Sequence, residues 1–238
     1  MPDKPLAFTE HLDELRRRVL VMLVSTALFS SAAFYFAKDI LRLLKVPAGS
    51  SLGTLAVFSP TAAVLCFIKI AVFSGLIFSV PVFLYELWMF ILPAIDPRIA
   101  QRGFWFILSG TLLFAVGVLF GYFVLLPAAL KFLLNIARSE IQYIISLDEY
   151  LSFVLILLVG TGVVFEIPIL VLILAKLGVL TSTKMAQGWR IAIVVILIAA
   201  AVITPTPDVV NMILMSLPMF ILYGVSIFVA RFSEKKEK

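Results

Sequence analysis

From Leu151 to Ala175 the chain is almost wholly apolar, yet it carries one carboxylate, Glu166, followed at once by Ile167 and Pro168. A soluble core buries such a group now and then. In a bilayer it costs about 2.5 kcal/mol or more to insert, and Pro168, with no backbone N–H, must kink the helix or open it locally. Composition decides between the two settings. The 238 residues are 63% hydrophobic and only 14% charged, with mean hydropathy +1.15. Soluble domains are about 45–50% apolar and about 25% charged. The chain is therefore read as an integral membrane protein. One cysteine, Cys66, excludes an intrachain disulfide, and with a single histidine, His11, it leaves no plausible zinc cluster, so no cofactor is expected. A net charge of +5 suits nucleic acid, but these charges flank apolar spans, as topology signals do, and no nucleic-acid partner is expected.

The pattern predicts an all-α protein with six transmembrane helices in a single domain. Residues 1–18 read as a polar, amphipathic surface helix, with Phe8, Leu12, Leu15 and Val19 at helical spacing. Asp13–Arg17 and Glu14–Arg18 are placed for ion pairs, acid first. The spans are 19–37, 63–92, 103–126, 151–175, 190–203 and 209–230, and 231–238 form a tail. Small residues in span one suit close packing, as does the Gly117/Gly121 pair in span three. Lys69, inside span two, is expected to snorkel to one surface. Span five is too short for a full bilayer, which predicts local thinning or a re-entrant position. Pro81, Pro168 and Pro218 each follow a polar residue by two, and three kinked helices argue for a bent wall rather than a straight bundle. Thirteen Lys and Arg lie on the side of the termini against five in the opposite loops. That asymmetry places both termini in the cytoplasm.

Glu166 must face a cavity, a partner helix, or a hydroxyl such as Thr161 or Thr204. A protonated carboxyl bonded within the bundle is the structural alternative, but intramembrane ionisable residues default to function. The N-terminal acids Glu10, Asp13 and Glu14 read first as a solvated helix with internal ion pairs. Alternatively they receive a cationic ligand, and an arginine peptide suits them better than a lysine peptide, because guanidinium pairs with carboxylate bidentately. Glu86, near Trp88, reaches the interface. Thr204 and Asn211 read as hairpin caps that can also hydrogen-bond an incoming helix.

Three stretches together resemble the TatC family, multi-spanning receptors of the twin-arginine protein translocase. They are His11-Leu12-Asp13-Glu14-Leu15-Arg16-Arg17-Arg18, Phe165-Glu166-Ile167-Pro168 and Thr204-Pro205-Thr206-Pro207-Asp208, supported by Tyr122-Phe123, Tyr150-Leu151-Ser152-Phe153 and Arg231-Phe232. The resemblance spans nearly the whole chain in order. It implies six helices bent into a concave wall with both ends cytoplasmic, in a plasma (inner) membrane of bacterial type. It also implies recognition of paired-arginine signal peptides, recruitment of single-span TatA and TatB partners, self-association, and transport of folded cargo driven by the proton-motive force. The motif glutamate falls on Glu14, with Leu15 and Arg16 beside it; the span-four acid falls on Glu166 and the turn aspartate on Asp208. One position departs. Where the family commonly has a glutamate after span two, this chain has Ile99, so Glu14 must work with Asp96 or Gln101, or Glu86 must supply the second charge.

The leading reading is thus a receptor and scaffold for protein export, not an enzyme. The competing reading is a proton-coupled secondary transporter with Glu166 as proton carrier, against which stand a single central carboxylate and no evident inverted repeat. An intramembrane protease lacks a Ser–His pair or a second central aspartate.

Overall fold

A computed structural model of the chain describes residues 8–47, 54–94, 101, 103–136, 144–204 and 209–235. Helix α1 (Phe8–Tyr35) turns at Phe36 into the short α2 (Ala37–Lys45). Strand β1 (Thr54–Ala56) leads to α3 (Pro60–Ile91). Next come α4 (Gly103–Phe120), a π-helical turn (Gly121–Leu125) and α5 (Leu126–Ile136). Strand β2 (Ile144–Ser146) pairs in parallel with β1, Leu55 opposite Ile145. Then follow α6 (Leu147–Phe165), α7 (Ile167–Lys176), α8 (Ser182–Gln187), α9 (Trp189–Ile203) and α10 (Val209–Lys235).

Five helical runs among the described residues are long and apolar enough to cross a membrane: Leu12–Tyr35, Pro60–Ile91, Gly103–Leu134, Leu147–Lys176 and Val209–Arg231. The 15 residues of α9 make the shorter sixth, about 22 Å at 1.5 Å per residue. The six-helix reading and the short fifth span therefore stand. Several details differ from expectation. Residues 8–18 are not a separate surface helix but the first turns of α1. Span three does not stop at Leu126; it passes through the π turn, just ahead of Pro127, and continues to Ile136. Of the three prolines, only Pro168 coincides with a break, α6 ending at Phe165 and α7 starting at Ile167. Pro81 and Pro218 lie inside uninterrupted helices. Two residues before each, a serine hydroxyl donates back to its own helix, Ser79 to Leu76 O and Ser216 to Ile213 O, at 2.9 Å.

The main helix contacts run from α1 to α3, among α3, α4 and α6, and from α6 and α7 to α10 and α9, a row thickened at the α3–α4–α6 trio rather than a closed ring. Burial follows that order: 56% of the α6–α7 apolar window is buried inside the protein, but only 6% of that of α1. The α6–α7 pair is the central post, and α1 is an edge whose apolar surface is left to lipid. Glycines set the closest approaches. A methyl on Gly75 of α3 would overlap Ser30 of α1. One on Gly117 would meet Phe165 and the Thr161 carbonyl at 2.8 Å, and one on Gly121 would overlap the Thr161 hydroxyl. The glycine pair of span three is therefore a packing surface, as expected, whereas in span one Ser25, Ser30 and Ala33 are withdrawn but Ala27, Ser31 and Ala32 are exposed.

Candidate functional site

At the end of the wall where α1 begins and α3 finishes, three charged side chains meet. Arg18 of α1 donates from Nε and Nη2 to Glu14 Oε1, one turn earlier on the same helix. Its Nη1 reaches Glu86 Oε2 of α3 at 3.0 Å, and Nη2 also donates to Met89 O at 3.1 Å. All three side chains are largely withdrawn from solvent, 15% exposed for Arg18, 24% for Glu14 and 11% for Glu86. The ion pair of Glu14 with Arg18 is one of the two the spacing predicted; the other, Asp13 with Arg17, does not form among the described residues. Its extension to Glu86 brings together two acids far apart in sequence. The cluster holds two negative charges and one positive. Glu14 Oε2 and Glu86 Oε1 meet no hydrogen-bond partner among the described residues, so it can accept another guanidinium.

The other residues expected here fall differently. Leu15 is 42% exposed, and Arg16 is also exposed, both turned away from α3. Gln101 is an exposed turn residue just before α4. Glu10 lies within α1, but its side chain lies outside the described residues, as does Asp96 altogether.

Glu166 sits where α6 gives way to α7 and is only 8% exposed. Both carboxylate oxygens are buried without a hydrogen-bond partner among the described residues. The break at Pro168 does not relieve them. The expected partners are engaged elsewhere: Thr161 Oγ1 donates to Leu158 O at 2.9 Å, and Thr204 Oγ1 to Ala200 O at 2.8 Å. What faces Glu166 is small or apolar. A methyl on Gly110 of α4 would lie 3.3 Å from Oε2 and would also meet Leu84. Leaving a buried polar group unpaired costs about 1–3 kcal/mol, more when it is charged.

Thr204 and Asn211 do not gather with Glu166. Both are buried and face Leu125, Phe153 and Leu157 across a small gap. Leu157 precedes Glu166 by nine residues, about 13 Å along a helix. Asp208 lies outside the described residues. Lys69 does not simply snorkel to water: its Nζ donates to Asp148 Oδ1 at 2.6 Å and Ser152 Oγ at 2.9 Å, tying α3 to α6.

Sequence reasoning missed two tyrosines that position α2. Tyr122 of the π turn donates to Leu43 O at 2.8 Å, and Tyr150 of α6 donates to Leu44 O at 2.7 Å. These are carbonyls of the last turn of α2, where intrahelical donors run out; Leu43 O also accepts from the Val46 N–H at the helix end. The available signal was chemical: a phenol deep in an apolar span needs an acceptor.

Residues 10–218 match the family described as Sec-independent protein translocase protein (TatC). The protein of that name from Aquifex aeolicus is 38% identical over 98% of both chains. The one from Deinococcus radiodurans is 37% identical over 93% of this chain and 84% of its own. The chloroplast protein of Pisum sativum is 34% identical over 93% of this chain and 63% of its own. A solved structure of a twin-arginine translocase receptor, TatC, superposes with TM-score 0.84 at 38% identity, covering 94% of this chain and all of that one.

Proposed function

Because the chain belongs to the TatC family and so is a component of Sec-independent, twin-arginine protein translocation, we propose that Glu14 and Glu86 form its seat for a signal-peptide arginine. The observation that carries this is the guanidinium already there. Arg18 is held by two carboxylates and a carbonyl from two helices, the donor-acceptor match a peptide arginine needs. Glu86 stands in for the loop glutamate that Ile99 replaces. The peptide's guanidinium either joins the cluster through the two carboxylate oxygens that lack a partner among the described residues or exchanges with Arg18. In both cases Arg18 competes for the same charge.

The test is binding of a labelled signal peptide, with its arginine pair intact or changed to lysines, to the purified protein. Glu14→Gln and Glu86→Gln each weaken the arginine peptide about tenfold or more, the worth of one charge-assisted hydrogen bond. Arg18→Gln tightens it. Equal binding of both peptides, or a Glu86→Gln variant that binds like the parent, sinks the proposal.

We infer further that Glu166 offers a polar contact to a TatA- or TatB-type single-span partner, that copies of the chain self-associate, and that the protein sits in an inner membrane of bacterial type. Its ends would be cytoplasmic, so the Glu14–Glu86 seat meets peptides as they arrive, with cargo movement drawing on the proton-motive force. The small-solute transporter reading finds no support among these relatives. A receptor that binds peptide at one end and helices at its middle needs no catalytic group, which supports reading the chain as a receptor rather than an enzyme.

A further inference from the structure

Helix α2 roofs an apolar groove on the face of the wall away from the termini. The groove encloses about 560 Å³ between α1, α3, the π turn and α6, with Phe36, Leu43, Phe78, Leu119, Phe123 and Leu158 among its walls. Among the described residues its only polar lining side chains are Ser74 and Tyr122. The Tyr122 hydroxyl is spent on Leu43 O. So apolar a lining suits a hydrocarbon chain rather than a hydrated group.

The roof carries the second observation. Lys38, Arg42 and Lys45 recur at helical spacing on α2, all exposed, on the flank opposite Ile40 and Leu44. One acid shares that surface, Asp39, 3.1 Å from Arg42. These are three of the five bases in the loops on this side, where the topological rule disfavours positive charge. Tyr122 and Tyr150 pin the end of α2 by its carbonyls, which holds the apolar side of the helix on the groove and its basic side outward. A fixed apolar slot beneath a basic crest matches a molecule with a long hydrocarbon chain and an anionic head.

We propose that this groove is a binding site for one anionic phospholipid of that leaflet, its acyl chain in the slot and its phosphate against Lys38, Arg42 and Lys45. The site lies at the other end of the molecule from the Glu14–Glu86 seat and does not depend on it.

Native mass spectrometry of the purified protein tests this, with dioleoyl phosphatidylglycerol or dioleoyl phosphatidylcholine as the probe. The parent protein retains one phosphatidylglycerol with a preference of about fivefold or more over phosphatidylcholine. The triple variant K38Q/R42Q/K45Q loses the preference, and the charge-keeping K38R/R42K/K45R restores it. Ala32 lines the groove and is exposed, so Ala32→Trp fills the slot without touching the core and loses both lipids. The proposal is overturned if the parent holds both lipids alike, if the glutamine variant keeps the preference, or if Ala32→Trp retains lipid normally. It is also overturned if an apolar helical peptide displaces the phosphatidylglycerol, which would make the groove a helix-docking surface.

Discussion

Two buried carboxyls face opposite problems. Glu86 has an arginine partner, and removing one member of such a pair typically costs 3–5 kcal/mol by stranding the other. Arg18 is thus a structural residue as well as a competitor, and Arg18→Gln lowers thermal stability while it frees the two acids. Glu166 has no hydrogen-bond partner to lose among the described residues. Replacing it by leucine removes an unsatisfied group, so Glu166→Leu is expected to raise the stability of the isolated protein by about 1–3 kcal/mol, while a single-span partner no longer co-purifies with it. Glu166→Gln, still polar, keeps part of that association, and peptide binding at Glu14 is unchanged in both. Melting curves and partner pull-down read the two effects separately. A Glu166→Leu protein that melts lower and still assembles would make Glu166 a structural carboxyl. Glu166 was legible from sequence because an acid in an unbroken apolar run has few readings. The convergence of Glu14 and Glu86 was only suspected, since no local pattern says that the first turns of α1 and the last of α3 share a level.

At the scale of elements, the glycines carry the fold. Gly117 and Gly121 lie one turn apart on α4 and the π turn, and let Phe165 and Thr161 of α6 approach to backbone distance. Gly121→Leu forces these helices apart, a cost of about 1–3 kcal/mol for overpacking. It also disturbs the turn that presents Tyr122 to α2. The expected result is a lower melting temperature and, in the same variant, weaker lipid retention in the roofed groove. Gly224, which has nothing within 4 Å of an added methyl, is the control. The glycine spacing was readable because period and residue type both signal close packing. The π turn was not readable, since Gly121 to Leu125 differs from an ordinary helical run only in its hydrogen-bond register, and Pro127 is its nearest outward sign. Helix α1 was misread for a related reason. Arg16, Arg17 and Arg18 look like an interfacial stop, but the charge of Arg18 is neutralised by Glu14 and Glu86, so the helix need not end there.

At the scale of the whole molecule, the row of helices has one polar end, one unsatisfied acid at its middle and one basic roof. The paired strands β1 and β2, three residues each, join the two loops near that roof, and segments so short leave no periodic signal. The remaining question is which way the wall faces, and its answer decides whether the acidic seat can meet a peptide made inside the cell. The charge count puts the termini inside, yet α2 sets three bases on the other side. An anionic lipid on α2 reconciles the two, because those bases then act as ligands rather than topology signals. Cys66 is 1% exposed, so the parent protein should resist an impermeant maleimide, and Cys66→Ser gives a clean background. In that background Lys45→Cys is expected to label on intact cells and Arg231→Cys only after the membrane is opened. Both positions are exposed on the protein, so failure to label reports the membrane and not burial. Labelling of Arg231→Cys on intact cells would put Glu14 and Glu86 outside, out of reach of any newly made signal peptide, and the receptor site would have to be sought near the α2 roof instead.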